Sequence, residues 1–594
     1  MQKMGGQRQY LVINLTTEQW EVQLIPQPTF EKYLGGEALG LHLWSLHTNT
    51  STEASPLCFV CGALTGSSIP CTNSLSIVGL SKATNLIESA TNLTEFAGML
   101  VSCGWQAVII KGIARRPMVL HINSHSVEFK PCERLLGKLI HETEQALATE
   151  APSSILSIGP AGENGVVYAS IFHGEKPLDR CGFGALLGQK QIKAIVVTSG
   201  AVEYSPIDPT GFQSTRKTFS QIIEKSSYIK NYGSSGELAL ISKAMQQGFA
   251  GIENITKRYD PRLYHLDGEE LERLFSLEIA TCKECPMDCR KLVMRPGGHD
   301  LVVPDLLEMM ALGSNLGNYD VLIAMQWRQK CVELGLHPVD TGLVIGWIMA
   351  AREQEFVDFS TTVTFGETVG VEQLIEMIAK GIGEGAMYGK GSAHLEKLYL
   401  TVGQAEKISC HINGREMIPI DPRGAWGEAL LMALNEDFLF IPELLFPFLP
   451  LESSTKKAEW VVVQENLLAL FRSVGVCPRL LIPLVFESNH QLQKLILRTP
   501  LGAWLALDTK VLEDLVDEFL GIGLTKKQLL DIARRSLLLQ RTINNNSAQP
   551  PFAIPLRFIL DPASNHPSSA VVPYRQLVDR YEFLRALDLA STGE

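Results

Sequence analysis

The alternation of apolar and polar positions changes character near residue 206. Before that point, short runs rich in β-branched residues are separated by turn residues, which is typical of strands. Residues 10–25 predict a β-hairpin around a Thr-Thr-Glu turn, and residues 57–80, 105–122 and 155–200 predict further strands. The first third of the chain is therefore expected to be rich in β-sheet.

Beyond residue 206, apolar residues recur three and four positions apart, which is the period of an amphipathic helix. Helices are predicted over residues 210–247, 268–280, 304–334, 338–356, 370–388, 456–474, 525–545 and 573–588. The pattern therefore predicts an α+β fold in which a sheet-rich domain comes first and mostly helical structure follows.

Length and composition set broad limits on the fold and its partners. The 594 residues exceed what one hydrophobic core holds, so we expect roughly three or four domains. A net charge of -12 argues against a nucleic-acid partner, because no basic stripe is available to neutralise phosphates. No apolar run approaches the ~20 residues that span a bilayer, and the N-terminus lacks the pattern of a cleaved leader. We expect a cytoplasmic protein with reduced cysteines and no membrane partner.

Three cysteines form the most informative cluster in the sequence. Cys282, Cys285 and Cys289 have the spacing C-x2-C-x3-C, which aims several soft thiolates at one centre. This spacing indicates a metal or an iron–sulfur cluster. Zinc stays open, although paired knuckles at zinc-finger spacing are absent. A fourth thiolate must come from elsewhere; Cys331 is the next cysteine in the chain, and Cys477 is a second candidate.

Other motifs are less specific. The glycines of residues 180–188 are spaced G-x-G-x-x-x-G, one residue longer than the dinucleotide-binding fingerprint, and no acidic residue follows on a suitable strand. We therefore reject a dinucleotide site there. Cys58 and Cys61 form another C-x2-C pair, but their apolar, strand-like setting favours two core cysteines.

Several segments, in the same order along the chain, resemble the aldehyde ferredoxin oxidoreductase family of tungsten-pterin enzymes. The segments that carry this resemblance are the Gly35-Gly36 pair, the C-x2-C-P-x2-C motif at 282–289, and residues 158–164, 180–195, 312–317, 340–342, 464–477 and 577–585. The likeness covers nearly the whole chain. It favours Cys477, at the end of the 464–477 segment, as the fourth cluster ligand.

The resemblance implies a fold, two cofactors and a reaction. A β-rich domain (residues 1–206) would form the base for the cofactor, and two mostly helical domains (207–405 and 406–594) would close over it. Cys282, Cys285, Cys289 and Cys477 would carry a [4Fe-4S] cluster beside a tungsten (or molybdenum) bis-pterin. The implied reaction is oxidation of an aldehyde to a carboxylic acid, with electrons passed through the cluster to a ferredoxin-like carrier. A homodimer is implied as well.

The resemblance also suggests residues around the pterin. Those expected to contact the cofactor or its phosphates are Gly35, Gly36, Arg180, Gly182, Gly184 and Lys190. No catalytic residue is assigned. Glu308, which matches a family glutamate near the active site, and His337, which can titrate near neutral pH, are candidates.

The pterin side departs from the family pattern at several positions. Family members carry two Asp-x-x-Gly-Leu-Asp/Cys motifs whose first carboxylates accept hydrogen bonds from the pterin amines; Val332 and Arg472 occupy those positions here. Valine offers no hydrogen-bond acceptor, so a pterin N–H buried against it would stay unpaired, at a cost of ~1–3 kcal/mol. Arginine offers only donors. Asn73 and Ser74 replace an expected arginine, and an expected histidine falls at Ile441.

Two hypotheses follow from these departures. In the first, the chain is a working tungsten or molybdenum oxidoreductase in which another acidic residue, Glu308 or Glu333, binds the pterin. In the second, it is a paralogue that keeps the fold and the cluster but has lost the pterin. The paralogue would serve as an electron-transfer or structural subunit, in a heteromer with an active homologue.

Overall fold

The computed structural model describes residues 2–3, 8–48, 55–231, 235–280, 282, 285–295, 300–434, 456–487, 507–545, 554–563 and 570–590. The strands in the first part of the chain are β1 (Gln2–Lys3), β2 (Arg8–Asn14), β3 (Gln19–Ile25), β4 (Leu57–Cys61), β5 (Ser74–Leu80), β6 (Ile87–Leu93), β7 (Trp105–Lys111), β8 (Met118–Ile122), β9 (Val127–Pro131), β10 (Ser153–Ser157), β11 (Phe172–His173), β12 (Lys176–Pro177), β13 (Ile192–Thr198) and β14 (Tyr204–Ser205). Later strands are short: β15 (Leu277–Ile279), β16 (Lys291–Val293), β17 (Leu301–Val302), β18 (His411–Ile412) and β19 (Arg415–Glu416).

Helices are few and short before residue 206 and predominate after it. The α-helices up to residue 247 are α1 (Gln27–Tyr33), α2 (Gly36–His47), α3 (Glu95–Ser102), α4 (Ile140–Leu147), α5 (Pro160–Glu163), α6 (Phe183–Gln189), α7 (Pro209–Lys225), α8 (Ser227–Asn231) and α9 (Ile241–Gln247). Those of the middle segment are α10 (Gly268–Leu274), α11 (Leu306–Leu312), α12 (Val321–Leu334), α13 (Pro338–Glu353), α14 (Val371–Lys380), α15 (Gly385–Tyr388), α16 (Ser392–Tyr399) and α17 (Val402–Ile408). The last are α18 (Trp426–Ala433), α19 (Lys457–Val474), α20 (Lys510–Leu520), α21 (Lys526–Asn545), α22 (Arg557–Leu560) and α23 (Tyr574–Ala590).

The first six-stranded sheet has the strand order β3-β2-β7-β4-β5-β6, and its central strands are buried on both faces. Side chains of a strand alternate between faces. On β2, Leu11 and Ile13 therefore enter the core between the two large sheets, while Tyr10 and Val12 pack on the other side, with helix residues of α2 and α19. Burial on both faces explains the continuous apolar runs of these strands.

The second six-stranded sheet, in the order β12-β11-β10-β13-β8-β9, packs against the first. Leu120, Leu156 and Ile195 contribute to the core that the two sheets share. The predicted strands of residues 105–122 are both present, but β7 lies in the first sheet and β8 in the second. The segment between β7 and β8 therefore connects the two sheets.

Helices after residue 206 form two further cores. One contains α11, α12, α13 and α14; the other joins α7, α19, α20 and α21 to the outer face of the first sheet. The rings of Phe212 on α7 and Phe519 on α20 stack at 5.5 Å, so α7 packs with helices close to the C-terminus. The predicted boundaries at 206/207 and 405/406 stay predictions.

The predicted α+β fold, with the sheets first and the helices after them, is confirmed. One predicted helix, 268–280, ends earlier: α10 stops at Leu274, and residues 277–279 form β15, paired with β16. Pairing with a distant strand overrides the local helical period there. The predicted helices 304–334 and 370–388 are each divided, the first into α11 and α12 and the second into α14 and α15. No helix among the described residues is long and apolar enough to cross a membrane.

The C-terminal end of α19 is fixed to the first domain by backbone contacts. The Leu64 amide donates to the Val474 carbonyl at 2.8 Å. Gly475 then adopts a φ of +96°, and a Cβ at this position would lie 2.8 Å from Gly62 Cα. Since Cys477 follows two residues later, this close approach sets the position of that thiol.

Replacing Gly475 by alanine tests this contact. We expect Gly475→Ala to lower the free energy of unfolding by about 2–5 kcal/mol, because it combines a left-handed backbone with overpacking against Gly62. Gly403→Ala is the matched control, since Gly403 lies exposed on α17 with nothing within 4 Å of the added Cβ. Urea unfolding measures both variants. Equal free energies of unfolding for the two variants would show that the close approach of Gly475 to Gly62 does not contribute to stability.

Candidate functional site

The four predicted cluster cysteines line one cavity. Cys282, Cys285 and Cys289 lie in the segment between β15 and β16, and Cys477 lies just after α19. Their shared cavity has a volume of about 740 Å³. The Cys285 amide donates to the Cys282 carbonyl at 2.9 Å, which forms the tight turn that the two-residue spacing predicts. The structure thus brings together thiols from two distant parts of the chain.

In the part of the chain that the structure describes, these thiols do not form a site for a single metal ion. A tetrahedral zinc ion holds its sulfurs at about 2.3 Å. Among the described residues, no three Cys, His, Asp or Glu side chains gather closely enough to share one metal ion. Burial raises the pKa of Cys477 to about 12 and also raises the pKa of Cys289. A metal bound by these two thiols would have to displace their protons.

A fifth thiol, absent from the sequence prediction, belongs to this group. Cys71 Sγ lies 3.3 Å from Cys285 Sγ, and its backbone carbonyl accepts a hydrogen bond from the Cys477 amide at 2.9 Å. The hydrogen bond with Cys285, together with burial, raises the pKa of Cys71 well above the usual thiol range. The sequence feature that could have indicated this thiol is its position in a polar loop, Gly-Ser-Ser-Ile-Pro-Cys-Thr-Asn.

Cys58 and Cys61, by contrast, are core residues. They lie three positions apart on β4, so their side chains point to opposite faces of the sheet. Cys61 packs between the two large sheets and Cys58 packs on the helix side. The two thiols cannot share one metal centre.

Arg180 forms a buried ion pair that joins the first domain to α13. Its Nε and Nη2 donate to the carboxylate of Asp340 at 3.0 and 2.8 Å, and Nη2 also donates to the Glu416 carbonyl at 3.0 Å. Burial alone would raise the pKa of Asp340, but the Arg180 guanidinium holds it well below its usual range. His337 Nδ1 lies 3.0 Å from the same carboxylate. Arg180 and His337 both line the cavity.

Glu308 also lines the cavity, near the beginning of α11. Its Oε2 accepts a hydrogen bond from Arg328 Nε at 2.8 Å, and its side chain and that of Asp305 form a capping box. Burial opposes ionisation, yet the Arg328 charge holds the pKa of Glu308 below its usual value. Glu308 is therefore an ionised, paired carboxylate. Its catalytic role, like that of His337, stays a prediction.

The other predicted cofactor contacts lie outside the cavity lining. Gly35 and Gly36 approach the backbone of residues 61–63 and 472–473, and Gly182 and Gly184 approach that of residues 167–170. The remaining residue of this set, Lys190, donates to the Gly112 carbonyl at 3.1 Å and is buried. Their roles toward a pterin stay predictions, since the contacts they make here are within the protein.

The two substituted acceptor positions have different surroundings. Val332 packs with Ile140 and Phe172 and does not line the cavity. Arg472 does line it, and its Nη1 lies 3.4 Å from Glu37 Oε2. Glu333, a suggested replacement acceptor, accepts instead from Gln329 at 3.2 Å and is not part of the lining. Position 441 lies outside the described residues.

Charges on the cavity wall balance one another. Seven cations and seven carboxylates line it: Lys176, Arg180, Arg290, Arg415, Arg472, Arg479 and Arg541, with Glu37, Glu88, Asp179, Asp305, Glu308, Glu465 and Glu582. Several are already paired within the protein, as in Arg472 with Glu37 and Arg415 with Glu88.

The fit to the two expected cofactors therefore differs. The four thiols suit an iron–sulfur cluster, and the volume is in the range of cofactor pockets. The positions expected to accept from pterin amines do not suit that group, because one is valine facing away from the cavity and the other is a paired arginine.

A sheet base under helical layers, with four cysteines on a shared cavity, is the arrangement of an iron–sulfur oxidoreductase. The family models "Aldehyde ferredoxin oxidoreductase, N-terminal domain" and "Aldehyde ferredoxin oxidoreductase, domains 2 & 3" match residues 10–199 and 214–590. The chain belongs to the aldehyde ferredoxin oxidoreductase family.

Three known proteins resemble this chain to different degrees. The chain is 27% identical to a tungsten-containing aldehyde ferredoxin oxidoreductase of Pyrococcus furiosus, over 98% of this chain and 96% of that protein. It is 22% identical to the WOR-like subunit of an aliphatic sulfonate oxidoreductase of the same organism, over 68% and 69% of the two chains. The solved active site complex BamBC of benzoyl coenzyme A reductase, in complex with 1,5 dienoyl-CoA, has the same fold, with a TM-score of 0.75 at 19% identity over 98% of this chain and 94% of that one.

Removing the Asp340 charge tests the buried ion pair. We expect Asp340→Asn to lower the free energy of unfolding at pH 7 by about 3–5 kcal/mol, because Arg180 stays buried without its counter-charge. Folding lowers the pKa of Asp340, so its stabilisation is present above the unfolded value of about 3.9 and is lost as the pH falls below it. The stability difference between the variant and the natural protein should therefore be constant from pH 7 to about pH 5 and become smaller as the pH falls below about 3.9.

Urea unfolding at several pH values measures this dependence. Asp514→Asn is the control, since Asp514 pairs with Lys510 on the surface, where such pairs contribute about 0–1 kcal/mol. A deficit that is constant with pH would contradict the proposed electrostatic cause.

Proposed function

We propose that this chain binds a [4Fe-4S] cluster through Cys282, Cys285, Cys289 and Cys477 and functions as an iron–sulfur oxidoreductase. The cluster would transfer electrons one at a time between the 740 Å³ cavity and a ferredoxin-like carrier. The observation that carries this proposal is the shared cavity, which collects all four thiols although they come from two distant segments.

Residues around the thiols are suited to hold an anionic cluster. Arg479, two residues after Cys477, lines the same cavity, and its Nε lies 2.5 Å from Glu237 Oε1. Its positive charge acts on both Cys289 and Cys477 and favours their thiolate forms. Arg290, next to Cys289, adds a second positive charge to this wall. These arginines would stabilise the thiolate forms of Cys289 and Cys477, which burial disfavours.

The first candidate reaction is oxidation of an aldehyde to a carboxylic acid. It is supported by membership of the family and by the named activity of the relatives that match nearly the whole chain. In this reaction a tungsten or molybdenum bis-pterin in the cavity would supply the two-electron chemistry. The chain's own contribution would be to enclose the aldehyde and the one water that supplies the second carboxylate oxygen between the first sheet and the helices, and to shield them from bulk water.

The second candidate is a pterin-free subunit that transfers electrons or supports an active homologue. Two observations favour it: Val332 packs into an apolar cluster, and Arg472 pairs with Glu37 where a pterin-binding carboxylate is expected. Such a subunit would form a heteromer with that homologue, whereas the first candidate is compatible with a homodimer.

Iron analysis of anaerobically purified protein tests the cluster. We expect about four iron atoms per chain in the natural protein, and a loss of most of that iron in Cys477→Ala, because a cluster of this type needs four thiolates. Cys410→Ala is the control, since Cys410 is a buried thiol that does not line the cavity. Iron retention in Cys477→Ala equal to that in the control would overturn the assignment.

Analysis of tungsten, molybdenum and pterin in the same preparation separates the two candidates. From the residues at 332 and 472 we expect iron without stoichiometric tungsten, molybdenum or pterin fluorescence, and no aldehyde-dependent reduction of a viologen dye. Two pterins per metal, with aldehyde-dependent dye reduction, would instead establish the first candidate. The iron analysis does not depend on this result, so it tests the proposed cluster separately from the choice between the two candidates.

A further inference from the structure

The loop that carries Cys71 is rigidly held in front of the four cluster thiols. Thr65 Oγ1 donates to the Thr72 carbonyl at 3.1 Å, and Thr72 Oγ1 donates to the Ile69 carbonyl at 2.8 Å. Cys71 itself has a φ of +63°, a backbone conformation that residues other than glycine rarely adopt. The loop therefore holds this thiol in a fixed direction at an energetic cost, which suggests that its position matters.

Cys71, a residue of the first domain, contacts two of the four proposed cluster ligands. Its Sγ donates to Cys285 Sγ across 3.3 Å, within the range of sulfur hydrogen bonds, and its carbonyl accepts from the Cys477 amide. Cys71 is buried, with 5% of its surface exposed.

Cys71 is better suited to donate to the cluster than to ligate it. Four thiolates already complete a [4Fe-4S] site. Sulfurs bound to different irons of one cluster lie farther apart than 3.3 Å, so one of the Cys71–Cys285 pair has to stay outside the cluster. Cys285 belongs to the C-x2-C-x3-C segment, whereas Cys71 comes from another domain; Cys71 is the outer thiol.

We propose that Cys71 is a positioning residue that donates an S–H···S hydrogen bond to the cluster ligand Cys285 and thereby raises the reduction potential of the cluster. The inference rests on the proposed cluster. Reduction adds an electron whose charge spreads onto the ligating sulfurs, and a donor to one of these sulfurs stabilises the reduced form more than the oxidised form. In this chain the first domain thus tunes a cofactor whose ligands all come from the helical part.

Redox titration of the reconstituted cluster, followed by electron paramagnetic resonance, tests this role. In Cys71→Ala we expect the ratio of reduced to oxidised cluster at a fixed potential to fall about tenfold, which corresponds to about 59 mV for a one-electron couple. Cys71→Ser keeps a donor and should stay close to the natural protein. Cys71→Gly removes the donor without backbone strain at a φ of +63°, so it repeats the test if the alanine variant folds poorly.

Cys58→Ala is the matched control, because Cys58 is a buried thiol of the first domain that does not line the cavity. Iron content is measured in every variant and should stay at about four per chain. An unchanged potential in Cys71→Ala and Cys71→Gly, with iron retained, would overturn the inference and leave the proposed function intact. Loss of iron in both variants would show that Cys71 is a ligand and would also overturn it. Absence of iron from the natural protein would remove the proposed function and this inference together.

Discussion

The attachment of the end of α19 to the first domain is the constraint on which the rest of the site depends. Backbone bonds from Ala63 to Ser473 and from Leu64 to Val474 fix that end, and the Cys477 amide is bound in turn by the Cys71 carbonyl. A displacement here would move Cys477 relative to the three thiols between β15 and β16. Backbone contacts suit this purpose, since they do not depend on side-chain rotamers.

The cavity beside the thiols is stabilised by charges that face one another. Arg180 with Asp340 crosses from the first domain to α13, and Arg472 lies close to Glu37 between α19 and α2. Each pair compensates a charge that would otherwise be buried alone, at a cost of several kcal/mol per ion. A ligand entering such a balanced wall is selected by shape and by hydrogen bonding more than by its net charge.

The regular elements could be predicted from the sequence because their apolar spacing is a local property. The same holds for Cys282, Cys285 and Cys289, whose spacing is visible within eight residues. Cys71 could not be predicted in this way, because its role depends on strand pairing and on the docking of α19, which bring distant residues together. The helix predicted over 268–280 was shortened for a related reason: β15 forms only through its partner β16.

The spread of the thiols along the chain also has a consequence for biosynthesis. The segment with three of them emerges from the ribosome long before Cys477 does, and the full ligand set exists only when the end of α19 has folded back onto the first sheet. With the four proposed ligands, a nascent or truncated polypeptide that ends before Cys477 would lack one of them, so the proposed cluster would be completed only after that residue has been translated.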